Sequence, residues 1–275
     1  MKIKIKVAVL MGGKSPEHDV SMVSGNEVVK QLDKNIFEVI PTIIPKTGKG
    51  IEEILRIKAD VVFIAMHGPF GEDGTIQGMM ELAGIPYTGS GVTASAVGMD
   101  KIMFRKIMIA DNLLIPRSVI LDKKERNYFG QIEKLGKPPY FVKPHNQGSS
   151  VGASIVRNRK ELSKAAKLAF KYSDKILVDE YVKGIELTCG VIGNENPIAL
   201  PVIEIVPKNE FFDYESKYTE SGAQEIIPAR ISKIMEIETR KLAVKVYKAI
   251  GANGFGRVDF ILKGKKLYIL EINTI

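Results

Sequence analysis

The chain has 275 residues, of which 45% are hydrophobic and 26% charged, and 40 Lys and Arg against 32 Asp and Glu give a formal net charge of +8. That length and apolar share suit two or three compact globular units, and no apolar run approaches the roughly 20 residues that span a bilayer, so no membrane partner is expected. The lysines are scattered and aromatics make up only 7%, which leaves no basic stripe with stacking residues and argues against nucleic acid; phosphorylated small molecules fit the positive balance better.

The N-terminal "MKIKIKVAVLMGG" places basic residues before an apolar run, as a signal peptide does. The run is short and its lysines alternate with Ile, so it reads as the first strand of a cytoplasmic protein. From there strands and helices alternate. Strands are expected at 3–11, 37–43, 61–66 and 85–88, and helices from Ser15 to Leu32, at 51–57 and at 75–83. That order describes a doubly wound, mainly parallel sheet, whose ligands bind at the carboxyl ends of its strands. "GSGVTASAVGMDK" leads into an amphipathic helix that ends near Ala110, and "YFVKPHNQGSSVGASIV" reads as a hairpin followed by a helix over 160–172. Strands at 185–192 and 198–206, an irregular polar stretch at 207–230, a helix over 232–250 and two final strands complete the chain. The single Cys189 lies in "LTCGVIG"; it rules out an internal disulfide and is expected to be a buried thiol in a reduced compartment.

Four stretches carry chemistry. "AVLMGGKS", Ala8 to Ser15, misses the phosphate-binding pattern G-x-x-x-x-G-K-[ST] by its first glycine and continues a strand where that pattern needs a loop. It instead predicts a tight turn at Gly12-Gly13, with Ser15 as N-cap, Pro16 as first helical residue and Glu17 facing the strand ends, where Glu17 alone does no more than complement the helix dipole. "HGPFGEDG" ends another strand of the same sheet and is Gly-rich and charged. "KPHNQGSSVG", Lys143 to Gly152, can turn successive N–H groups and two hydroxyls towards an anion beside Lys143, or it can be an ordinary Gly/Ser turn.

"GRVDFILKGKKLYILEINTI" is the most informative stretch. A three-residue loop at Gly264 to Lys266 pairs Lys263 with Leu267 and sets Asp259 opposite Glu271 and Arg257 opposite Asn273. Opposed carboxylates repel unless a cation lies between them, and carboxylate plus amide oxygen is a donor set that suits Mg²⁺. Ile261, Leu267 and Ile269 are expected on the carboxylate face and Val258, Phe260, Leu270 and Ile272 on the other, which argues against a solvated edge hairpin. His18, His67 and His145 stand in Gly-rich turns at spacings unlike a zinc site, and hydrogen-bonding roles are expected of them.

"GGKSPEHDVSMVSG", "HGPFGEDGTIQGMMELAGIPYTGSGVTASAVGMDK", "FVKPHNQGSSVGAS", "DEYVKGIEL", "FFDYESKY", "GRVDF" and "LEIN" together resemble the D-alanine:D-alanine ligases of the ATP-grasp superfamily, in order and at similar spacing. The resemblance implies an α/β chain with an ATP-grasp fold behind an N-terminal doubly wound domain: residues 1–95, then a central subdomain over 96–180 and a C-terminal one over 181–275. It implies that Lys101, Lys143 and Lys217 contact ATP phosphates, with Ser149 and Ser150 in the phosphate loop. Asp179, Glu180, Tyr181 and Val182 hold adenine largely through backbone groups, and Glu186 holds the ribose. Asp259, Glu271 and Asn273 bind two Mg²⁺, with Mn²⁺ as a substitute, and Arg257 stabilises the oxyanion. Glu17 pairs with the ammonium of the first D-alanine near His67, and Glu17, Ser149 and Tyr218 fasten the "FFDYESKY" loop over the reactants.

The implied reaction joins two D-alanines through an acyl phosphate at the expense of ATP, for peptidoglycan precursors, in a homodimer. The nearest alternative product is D-alanyl-D-lactate, against which Tyr218 argues; another ATP-grasp ligase, or an inactive nucleotide-binding protein, are the further ones. In the family pattern "LEINT" continues through a Pro-Gly-Met-Thr segment to a closing helix that helps hold the second D-alanine, so the chain is expected to lack a C-terminal segment.

Overall fold

A computed structural model describes residues 3–125, 129–207 and 223–274. The N-terminal sheet is parallel, in the order β2-β1-β3, with β1 at Ile5–Gly12, β2 at Phe37–Ile44 and β3 at Val61–Ile64. β1 is central and is buried continuously from Val7 to Gly12, as its unbroken apolar run requires of a strand covered on both faces. Val7, Val9 and Met11 pack under helix α1, His18–Gln31, while Ala8 and Leu10 join Ile76 and Met80 of α2, Thr75–Ala83.

Two antiparallel sheets follow. One has the order β4-β7-β5-β6, from Ser118–Asp122, Lys175–Glu180, Tyr140–Pro144 and Ser154–Val156, and packs on α6, Arg159–Ala169, through Leu162, Ala165, Ala166 and Ala169; the short α5, Phe129–Glu133, adds Ile132 to that core. The other has the order β10-β9-β8-β11-β12, with β8 at Ile185–Ile192, β9 at Ile198–Pro207, β10 at Ala223–Ile226, β11 at Phe255–Lys263 and β12 at Lys266–Asn273. Helix α7, Lys233–Ala249, and α4, Lys101–Ala110, bury Ala243, Val246, Tyr247, Phe104 and Met108 against it. Helix α3, Val92–Met99, runs into α4 across Asp100, whose carboxylate caps α4 by accepting from the amides of Ile102 and Met103. That cap sets α4 apart from α3, which lies within the stretch expected to lead into the helix.

Several elements depart from expectation. Helix α1 starts at His18, not at Pro16: the Ser15 hydroxyl accepts from the amide of Glu17, and the Ser15 carbonyl from that of His18, in a turn before the helix. Residues 51–56 form a 3-10 turn, and the expected strand at 85–88 contributes a single parallel bridge from Tyr87 to Val62. β10 lies inside the stretch expected to be irregular. The final hairpin has a tighter turn than expected, with Lys263 opposite Lys266. A β-bulge then shifts the register by one, so Asp259 still faces Glu271 and Arg257 still faces Asn273. The shift exchanges faces nearer the tip: Leu267 and Ile269 enter the core, while Leu270 lines the cleft beside Ile261.

Candidate functional site

The carboxyl ends of the parallel sheet converge on Glu17, which is 5% exposed. Its carboxylate accepts a short hydrogen bond from the Ser149 hydroxyl, across 132 residues. Gly68 and Gly148 close around the same group: a Cβ on Gly148 would stand 2.7 Å from Glu17 Oε2, and one on Gly68 2.1 Å. Ser149 and Ser150 take φ of 48° and 58°, an uncommon conformation for residues with a Cβ.

His67 stands beside this group. Its Nε2 is 2.9 Å from Ser24 Oγ, and its Nδ1 is 3.9 Å from Glu72 Oε1. Burial opposes charge on the imidazole, but the neighbouring Glu72 carboxylate, with Glu17 behind, outweighs it and raises its pKa. His18 and His145 have the structural roles expected of them, on the Gly13 carbonyl at 2.9 Å and on the Lys175 carbonyl at 3.1 Å.

A cavity of about 530 Å³ opens between the two antiparallel sheets, within the range of small-molecule sites. Lys101, Lys143 and Ser150 line it, the 179–186 segment runs along it, and Asp259, Ile261, Leu270 and Glu271 complete the lining. Lys101 is 7% exposed; its Nζ donates to the Gln147 carbonyl at 2.8 Å and lies 3.1 Å from Glu271 Oε2. Lys143 lies over the Phe141 ring at 5.5 Å, with its Nζ 3.4 Å from Asp179 Oδ2. Desolvation holds its pKa below the usual lysine value despite Asp179. Of the expected adenine segment, Asp179 bonds Arg105 at 2.7 Å, Glu180 is paired with Arg117 at 2.8 Å, and the amides of Glu180 and Tyr181 donate to the Arg117 and Pro139 carbonyls. Tyr181, Val182 and Glu186 also line the cavity. Lys217 and Tyr218 lie outside the described residues.

At the hairpin, Asp259 Oδ1 accepts from Thr188 Oγ1 at 2.6 Å and from Arg257 Nε at 3.0 Å, and Asp259 Oδ2 accepts from Asn273 Nδ2 at 3.1 Å. The Asp259 charge raises the Arg257 pKa further. Among the described residues no three of His, Cys, Asp and Glu group as a metal site; this centre has two opposed carboxylates and one amide. All three supply hard oxygen donors once the Asn273 amide turns its oxygen inward, so the set fits Mg²⁺, which completes its shell with water and phosphate.

Sequence reasoning missed four contributors: Glu72, Thr188, Arg105 and the Glu204–Arg230 pair, joined at 2.6 Å on the cavity wall. A signal existed for Glu72, which lies in the charged "HGPFGEDG" stretch, and for Arg105, which follows Lys101 by one helical turn on α4.

A cleft between two antiparallel sheets, lined by both lysines and carboxylates, is the architecture of an ATP-grasp protein. Residues 6–54 and 51–90 match the family model described as D-ala D-ala ligase N-terminus, and residues 107–275 match D-ala D-ala ligase C-terminus. The D-alanine–D-alanine ligase of Syntrophobacter fumaroxidans is 41% identical, over 99% of this chain and 88% of its own length; that of Geobacter sulfurreducens is 42% identical, over 98% and 84%. Among solved structures, the VanG D-Ala:D-Ser ligase of Enterococcus faecalis superposes with a TM-score of 0.88 at 34% identity, covering 99% of this chain and 91% of that one. The Bacillus anthracis D-alanine–D-alanine ligase complexed with ATP gives 0.85 at 32% identity, with coverage of 98% and 86%. The chain belongs to the D-Ala–D-Ala ligase family.

Proposed function

We propose that the protein joins two D-alanines to D-alanyl-D-alanine at the expense of ATP, for peptidoglycan precursor synthesis. The observation that carries this reading is the juxtaposition of the Glu17–Ser149 pair with a cavity walled by Lys101, Lys143, Asp259 and Glu271. Glu17 takes the ammonium of the first D-alanine, with His67 close by, and leaves that substrate's carboxylate towards the γ-phosphate of ATP. Attack there gives an acyl phosphate and ADP; the amine of the second D-alanine then attacks the acyl carbon and expels phosphate.

Both steps build negative charge on phosphoryl or carbonyl oxygen, and Lys101, Lys143 and Arg257 are the cations available to stabilise it. Asp259, Glu271 and Asn273 hold Mg²⁺, two ions in this proposal with Mn²⁺ as substitute, which supplies further charge neutralisation at the phosphates. Segment 179–182 borders the adenine, Glu186 the ribose, and Ser149 and Ser150 the phosphates. Lys217 and Tyr218 act from their segment as the family resemblance implies. We further propose subdomains over 1–95, 96–180 and 181–275, a homodimer, and a cytoplasmic location. Among the described residues no helix is long and apolar enough to cross a membrane.

A likeness to both D-Ala:D-Ala and D-Ala:D-Ser ligases makes the second substrate the point to test. The full-length protein is supplied with ATP, Mg²⁺ and D-alanine, alone and together with D-serine or D-lactate, and the products are separated by mass. D-alanyl-D-alanine as the main product supports the proposal; a preferred mixed product, or no phosphate release dependent on D-alanine, refutes it.

A further inference from the structure

Helix α4 carries Lys101 and, one turn on, Arg105. Lys101 reaches the cavity, whereas Arg105, 4% exposed, stands behind the wall and touches Asp179. Arg105 Nη1 donates to the Pro116 carbonyl at 2.9 Å and to Ser118 Oγ at 3.3 Å, and its Nη2 donates to Asp179 Oδ2 at 2.7 Å. The same oxygen has a second cation near it: Lys143 Nζ, at 3.4 Å. Two buried cations thus share one buried carboxylate, and the shorter, charge-assisted bond belongs to the cation that does not line the cavity. Two positive charges against one negative leave an excess of one positive charge. It falls at Lys143, the member of the pair that faces the cleft.

We propose that Arg105 is a positioning residue for nucleotide binding: by engaging Asp179 it keeps Lys143 from being neutralised by that carboxylate and leaves the ammonium directed at the phosphates of ATP. This rests on the proposed binding of ATP in the same cavity. Removing Arg105 leaves Lys143 and Asp179 as a closed ion pair of zero net charge, a poor partner for a polyphosphate. Arg105 also ties the Pro116–Ser118 segment to α4, so a purely structural role is the rival explanation.

The test is a double-mutant cycle on the full-length protein, with Kd for a non-hydrolysable ATP analogue and Mg²⁺ measured by calorimetry, and KM and kcat for ATP measured alongside. Arg105→Met is expected to weaken the nucleotide roughly tenfold, in KM more than in kcat, and Arg105→Lys, which keeps the charge, to remain within about threefold of wild type. Adding Asp179→Asn to Arg105→Met recovers most of the loss, because Lys143 regains its unbalanced charge; a structural anchor would show no such recovery. Unchanged affinity in Arg105→Met, or a double variant no better than Arg105→Met, overturns the inference. Should Arg105→Met fail to fold, the double variant is compared with Asp179→Asn alone: equal affinity supports the proposal, and a further tenfold loss refutes it. A wild type that binds no nucleotide refutes the proposed function itself, an outcome distinct from an additive cycle in a protein that binds.

Discussion

Gly148→Ala isolates the Glu17 site from the fold. Gly148 has no left-handed backbone requirement, so the substitution acts only through space: the new Cβ would lie 2.7 Å from Glu17 Oε2 and 3.1 Å from Oε1. To restore ordinary contact near 3.4 Å, the carboxylate must retreat by about 0.7 Å. Gly68 also approaches Glu17 Oε2 closely, which leaves little room. A displacement of that size misplaces the acceptor for an ammonium. A hydrogen bond to a charged group is worth about 1.5–3 kcal/mol, which corresponds to roughly a 10- to 150-fold loss. Initial-rate kinetics at varied D-alanine should therefore show the KM of the first D-alanine rising by about that factor, with the ATP KM little changed and Tm within a few degrees of wild type. An unchanged D-alanine dependence in a folded Gly148→Ala protein would refute the placement of Glu17.

Other outcomes follow from the same geometry. Asp259→Asn removes one of two opposed carboxylates and should weaken Mn²⁺ binding with nucleotide, read by electron paramagnetic resonance, by at least roughly 10- to 100-fold, while a chelator should abolish turnover in wild type. Arg230 holds the Glu204 carboxyl below its ordinary 4.5 by hydrogen bonding, although burial opposes it. A lowered carboxylate pKa stabilises above the unfolded value and ceases to do so as pH falls through the folded one, so Arg230→Met should cost stability at pH 7 and progressively less below about 4.5 in denaturant titrations. His67 has the opposite sign: its raised pKa stabilises below 6.5 and the effect fades as pH rises through the folded value. Glu72→Gln should lower the His67 pKa in NMR titrations and destabilise more at pH 6 than at pH 9. Phe104→Ala, at a fully buried core position, should cost about 3–5 kcal/mol of stability in chemical denaturation.

What was legible in the sequence was what local pattern dictates. The continuous apolar run of β1, the alternation of strand and helix before it gives way to antiparallel pairing, and the Gly-rich strand ends follow from periodicity and turn chemistry alone. Asp259 and Glu271 could be set opposite each other because a hairpin turn ties their separation to a count of residues. The count was right at the site although the turn is one residue shorter, since the bulge restores the difference. Arg105 and Asp179 lie 74 residues apart and meet only in the folded chain; no local signal joins them. The same holds for Thr188 on Asp259, 71 residues away. The start of α1 was misjudged because Ser15 and Pro16 suit a helix N-terminus and a preceding turn equally well, and the Ser15 hydroxyl chose the amide of Glu17.

The bulge at Leu270 separates two demands on one hairpin. With Leu270 left out, β12 would still alternate perfectly: Ile269 inward, Glu271 to the cleft, Ile272 inward, Asn273 to the cleft. The extra residue therefore serves neither the core nor the carboxylate pairing; it interrupts a ladder that needed no interruption. What it adds is one branched apolar side chain on the cleft wall beside Ile261, immediately next to a carboxylate. Oily and ionic surface thus sit on consecutive residues of one strand, an order that regular pleating forbids, and a ligand that is flat at one end and multiply charged at the other can lie along a single β-strand.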